Sequence, residues 1–181
     1  MRTRKAKDRS RLIQAAMGQI PCDLTIGNVQ FFNVITGEIY PAFPNAIYWV
    51  SRKQWDNFLH PNALEKDSYF IENMKAIADN GQLRLIDTDT ELCPDIDLRL
   101  FDGHTLGQIV PYIHTPEQTF VFAGDVIPLA ASVSPEWISA YDTFPVTSYQ
   151  EKVRMLEEAA REGQVLIYCH DAYTRCSTVK K

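Results

Sequence analysis

The sequence predicts an α/β fold in which helices cover a mixed, mostly antiparallel sheet, and three observations carry that expectation. Apolar runs of strand length recur at 46–50, 83–86, 96–101, 109–114, 119–123 and 165–168. Between them lie stretches with helical spacing, bounded by Ser, Gly and Pro. Finally, three of the strand-like runs end on a side chain that can bind a metal: His104, Asp125 and His170.

The elements follow in chain order. Residues 2–17 permit a helix, with basic residues first and Leu12, Ile13, Ala15, Ala16 and Met17 after them; Gly18 and Pro21 end the pattern. Two short strands are expected at 23–26 and 29–35 around Gly27-Asn28, with Thr36-Gly37 as a second turn. Ala46 to Val50 reads as a strand, and Ser51 as the N-cap of a helix through Trp55 and Phe58. A second helix is expected from Leu64 to Asp79, with Tyr69, Phe70, Met74 and Ile77 on one side and Gly81 beyond its end. Strands at 96–101, 109–114 and 119–123 form a meander, the last two joined by Thr115-Pro116-Glu117-Gln118. Ser148 to Glu162 is the clearest helix, with Val153, Leu156 and Ala160 on one face, a Thr147 or Ser148 cap, and Gly163 as its stop. A strand over 165–168 and a polar tail complete the chain.

The meander bears on chemistry. Its first and third strands run the same way, so the residues after them, His104 and Asp125, share one sheet edge. His170 joins them if its strand is oriented likewise. Imidazole and carboxylate donors delivered to one rim are what a zinc-type hydrolytic site needs.

Composition bounds the alternatives. At 181 residues, 45% hydrophobic and 23% charged, the chain can bury one core. The net charge of -5 argues against nucleic acid as a partner. Charge is uneven: residues 1–42 carry six Lys/Arg against Asp8, Asp23 and Glu38, a balance of +3, whereas 43–181 carry twelve against twenty, a balance of -8. A boundary near residue 42 is therefore expected. The basic stretch Arg2 to Arg11 reads as a solvated leader rather than a nucleic-acid or lipid contact. Cys22, Cys93, Cys169 and Cys176 form no Cys-x-x-Cys pair and read as reduced thiols, and no run is long enough for a membrane span. A cytoplasmic protein is expected.

Residues 43–181 resemble the C-terminal portion of a metallo-β-lactamase-fold hydrolase. The resemblance rests on Phe43-Pro44-Asn45-Ala46, the Val50-Ser51 to Trp55 helix start, Asp102-Gly103-His104-Thr105-Leu106-Gly107-Gln108, Ala123-Gly124-Asp125 and His170-Asp171. The Phe-Pro-Asn-Ala start is closest to the branch holding lactonase-like and organophosphate-hydrolase-like members. The resemblance implies a partial αββα sandwich in which His104 binds a first zinc, Asp125 bridges two, and His170 binds the second. It also implies a metal-bound water as nucleophile toward an ester, lactone, thioester or phosphoester of a small molecule. The family's His-x-His-x-Asp-His loop is absent, and no His precedes His60. One zinc held by His104, Asp125 and His170 is then the most this chain offers, with weak or no activity; other divalent metals suit the same donors.

Residues 9–42 resemble the N-terminus of bacterial adenine deaminase, through Arg11 to Gly18, Cys22-Asp23-Leu24 and Asn33 to Ala42. The barrel that carries that enzyme's metal is missing, so the resemblance implies no deaminase activity. An adenine deaminase relative is kept as a third reading, after a non-catalytic binding or oligomerisation module. With the first half of the hydrolase fold absent, exposed strand edges are expected to drive homo-oligomerisation.

Other candidates are weighed against plainer roles. Asp102 and Asp171 stand beside the expected ligands and could orient imidazoles, or be exposed turn acids. His60, before Pro61, reads as the end of a helix, and His114 as a surface hairpin residue. Trp49, Trp55, Trp137, Tyr141 and Phe144 could line an apolar substrate pocket or serve as core and edge packing.

Overall fold

The computed structural model describes residues 30–32, 39–41, 43–70 and 72–180. The expected 2–17 helix and 23–26 strand, and most of the deaminase-like stretch, lie outside them. Within that stretch β1 (Gln30–Phe32) and β2 (Ile39–Pro41) pair antiparallel.

Next come β3 (Tyr48–Ser51), α1 (Arg52–Leu59), α2 (Glu72–Asp79), β4 (Leu83–Ile86), β5 (Thr90–Cys93), β6 (Ile96–Phe101), β7 (Gln108–His114) and β8 (Thr119–Phe122). A crossover helix α3 (Pro145–Glu162) leads to β9 (Val165–Ile167), and β10 (Cys176–Thr178) ends the fold. Strands β5 to β10 make one six-stranded sheet in the order β10-β9-β8-β7-β6-β5. Every neighbouring pair is antiparallel except β8 and β9, which run parallel across the α3 connection. Strands β3 and β4 form a separate parallel pair.

The sheet has two unequal faces. One is sealed by α3, whose Met155, Leu156 and Ala159 pack with Val110, Tyr112, Val121 and Leu166. Arg99 pins that layer: its guanidinium lies 3.8 Å from the Tyr112 ring centroid and reaches both Glu158 oxygens at 2.9 Å. The opposite face buries Ile86, Ile96, Leu98 and Ile113, but Leu100, Ile109 and Phe120 beside them stay partly exposed.

Two helices differ from expectation. The Leu64–Asp79 helix is confined to Glu72–Asp79, and 63–68 are turns. There the Asn62 side chain accepts from Leu64 N and Glu65 N, a local bond that competes with helix. Tyr69 turns inward, its ring edge-on to Phe58 and its hydroxyl 2.9 Å from Thr105 Oγ1. The last helix begins earlier than Ser148, because Pro145 at its first position supplies a helical φ without a lost donor. Gly163 ends it in the left-handed conformation, φ 66°. Its buried face is Ser148, Glu151, Lys152, Met155, Leu156 and Ala159; Val153 and Ala160 are only partly covered. Among the described residues no helix is long and apolar enough to cross a membrane.

Candidate metal centre

Strands β6, β8 and β9 point the same way, so His104, Asp125 and His170 emerge at one rim. Asp125 lies between the imidazoles: its Oδ1 is 2.9 Å from His170 Nε2, and its Oδ2 is 3.7 Å from His104 Nε2. The second distance is too long for a hydrogen bond but suits two groups that share an ion.

The loop that carries His104 is built between two helix starts. Ser51, the α1 cap, accepts from Gln54 N at 2.9 Å and donates to Gly107 O at 2.6 Å. Gly107 has φ +73°, and a Cβ there would fall 2.0 Å from Ser51 Oγ. On the other side, Glu151 of α3 accepts from Asp102 N at 2.8 Å and Gly103 N at 2.9 Å. A Cβ on Gly103 would sit 2.4 Å from the Ser148 backbone. Burial holds the Glu151 carboxyl above its ordinary pKa despite those two donors. The carbonyls of Gly103 and His104 accept from Phe144 N and Thr143 N at 2.9 and 3.0 Å.

Asp142 orients the His104 ring, with Oδ1 2.8 Å from Nδ1, and its side chain is only 6% exposed. An ionised carboxylate only accepts, so Nδ1 donates to Asp142 and Nε2 is the ring nitrogen that faces Asp125. That bond raises the imidazole pKa, against burial, which lowers it. The segment bearing Asp142 is held in turn by Lys152, whose buried ammonium donates to Trp137 O at 2.9 Å. Asp142 escaped the sequence reading because it lies 38 residues from His104 in a stretch without periodicity.

The two acids nominated beside the imidazoles do other work here. Asp102 receives Gly107 N at 2.9 Å and Lys53 Nζ at 2.6 Å, bracing the loop rather than the ring. Asp171 accepts from Ala130 N, Tyr173 N and Thr174 N at 3.1, 2.9 and 2.7 Å, which lowers its pKa and shapes the loop after His170. His60 ends α1 through its backbone N–H, and His114 bonds Asp97 and Thr119 at the far end of β7. Thr105 bonds Glu65 and Asn57 as well as Tyr69. Cys169 reaches the rim too: its Sγ donates to Gly124 O at 3.2 Å and lies 3.6 Å from Asp125 Oδ1. Burial and that carboxylate push its thiol pKa up to about 12. Of the aromatics, Trp55 stacks on Phe58, while Trp49, Trp137, Tyr141 and Phe144 are exposed.

Residues 37–170 match the profile of the Metallo-beta-lactamase superfamily. The chain belongs to that superfamily. Among solved structures it is similar to a probable metal-dependent hydrolase from Staphylococcus aureus, with 28% identity and a TM-score of 0.73 over 78% of this chain and 50% of that one. It is also similar to AidC, described as a dizinc quorum-quenching lactonase, with 18% identity and a TM-score of 0.65 over 78% of this chain and 53% of that one. AiiA of B. thuringiensis, solved with N-decanoyl-L-homoserine at its active site, gives 21% identity and a TM-score of 0.57 over 68% of this chain and 46% of that one. The chain thus spans about half the length of these relatives. No curated protein matches it.

Proposed function

We propose that the rim binds a divalent metal ion, zinc by preference, through His104, Asp125 and His170, and that the site serves hydrolysis of a small ester, lactone or phosphoester. The observation that carries this reading is Asp125 with one oxygen toward each imidazole, at 2.9 and 3.7 Å. Asp142 takes up His104 Nδ1, so Nε2 is the nitrogen that would bind an ion. The superfamily match and the metal-dependent or dizinc character of the similar structures support the same chemistry.

When bound, the ion would supply a Lewis acid and a water that ionises near neutral pH. The chain's own residues do the rest. Asp142 holds the His104 ring, and Glu151 and Ser51 hold the loop beneath it. Turnover would be weak, since this sequence contains no His-x-His-x-Asp-His loop to complete a pair of ions.

The test is metal content per chain by mass spectrometry after zinc loading and exhaustive desalting, beside a His104→Ala control. About one zinc per chain, lost in the control, supports the site and calls for a lactone and phosphotriester screen. Absence of retained metal refutes it. A second reading, a binding or oligomerisation module, is favoured by the partly exposed Leu100, Ile109 and Phe120 face. A monodisperse monomer in light scattering would count against that reading. Turnover of adenine, the deaminase outcome, would overturn both.

A further inference from the structure

Helix α3 is apolar on two sides. Its inner side, Ser148, Glu151, Lys152, Met155, Leu156 and Ala159, is buried against the sheet. Val146, Tyr149, Val153 and Ala160 look outward: Val146 is 70% exposed and Tyr149 43%, while Val153 and Ala160 are only partly covered. With the exposed Glu157 they follow one another at spacings of 3, 4, 4 and 3 residues, so the five share a stripe about a quarter-turn wide. A groove of about 510 Å³ opens on this stripe, with Tyr149, Gln150, Val153 and Arg154 among its lining residues. A helix packed on one side only keeps its outer side polar, whereas one apolar on both sides is covered on both.

The order of the spacings points to the cover. It reads the same in both directions about Val153, so a second α3 laid antiparallel over the first matches the stripe to itself. Val153 then meets Val153 on the two-fold axis, Val146 meets Ala160 at each end, and each Tyr149 stands level with Glu157 of the second copy. Charge agrees with that register. Exposed Arg154 stands level with Lys152, which is buried on the inner side, and exposed Arg161 stands level with Pro145. No exposed charge on the helix therefore faces a like one. Arg154 and Arg161 also balance Glu157 and Glu162, so this side is locally neutral on a chain of net charge -5.

We infer that the outer side of α3 is a homodimer contact, an antiparallel helix pair centred on Val153. It rests neither on the metal site nor on the open sheet face around Leu100, Ile109 and Phe120. A contact of one helix pair lies at the small end of specific interfaces, so the dimer should dissociate in the micromolar range.

The test is sedimentation velocity of the full chain from low to several hundred micromolar, with substitutions on the axis. The parent should pass from monomer to dimer across that range. Val153→Glu and Val153→Lys each place two like charges on the axis and should weaken the dimer at least about thirtyfold. An equimolar mixture of the two variants should recover it, because glutamate then meets lysine. Circular dichroism melts of both variants should match the parent, since Val153 lies outside the monomer's core. A parent that stays monomeric throughout overturns the inference and leaves the chain's own residues 1–29 as the candidate cover. Dimers that survive both single variants, or a mixture that stays monomeric, place the contact elsewhere and overturn it too. A variant that melts well below the parent would show Val153 buried within the monomer, with the same consequence.

Discussion

The two ends of the candidate site are built differently. The His104 loop is clamped from below by α1, from the side by α3, and from above by the backbone of residues 143–144. Its imidazole is 22% exposed and held by a buried carboxylate. The His170 end is tied by His170 N to Pro128 O at 3.1 Å and by the Asp171 turn, and its ring is 65% exposed. One donor is therefore preorganised by packing, while the other is free to adjust. Affinity for an ion should depend on the first through the fold and on the second through the ligand bond itself.

The largest break in this contrast should come from Glu151→Ala, which orphans one buried and one partly buried N–H group of the His104 loop and is expected to cost about 3 kcal/mol in urea unfolding. A pH series with Glu151→Gln sharpens the point. Because burial raises the folded pKa of Glu151, the folded state holds its proton more tightly than the unfolded chain does. The stability it contributes is full below the unfolded value and is lost as pH rises through the folded one. The gap between parent and Glu151→Gln should therefore narrow from acid toward neutral pH; a gap that widens would refute the assignment.

Gly103→Ala comes next, because its Cβ meets the Ser148 backbone at 2.4 Å. A loss of about 2 kcal/mol is expected, with weakened zinc retention as the loop shifts. Asp142→Asn should cost about 1 kcal/mol by removing a charge-assisted hydrogen bond, yet weaken zinc binding roughly 10- to 100-fold. The smallest effect on the fold is expected at the open end: His170→Ala should change unfolding by less than about 0.5 kcal/mol while abolishing metal retention. Equal stability losses for His170→Ala and Asp142→Asn would erase the distinction between the two ends.

How much of this was legible in the sequence follows the same division. The strand runs and the donors after them could be read because apolar alternation ends at Asp102-Gly103, Gly124 and Cys169, where the chain turns over the rim. Strands β5 and β10 were not anticipated, since Thr90-Glu91-Leu92-Cys93 and Cys176-Ser177-Thr178 are too short and polar to show periodicity. The 64–79 helix was overextended because Tyr69 looks helical in spacing, while its bond to Thr105 is a tertiary fact. Asp142 could not be found from spacing at all.

The strand order also works as a ruler. Asp125 and His170 extend adjacent strands, so their spacing is inherited from the roughly 4.8 Å repeat of the sheet and survives changes in the crossover between them. His104 extends a strand one place further away, and its loop must lean back across the top of β7 to arrive. Length variation within residues 131–163 should therefore be tolerated by the Asp125–His170 pair, whereas a single inserted residue in 102–107 would move His104 off the mark.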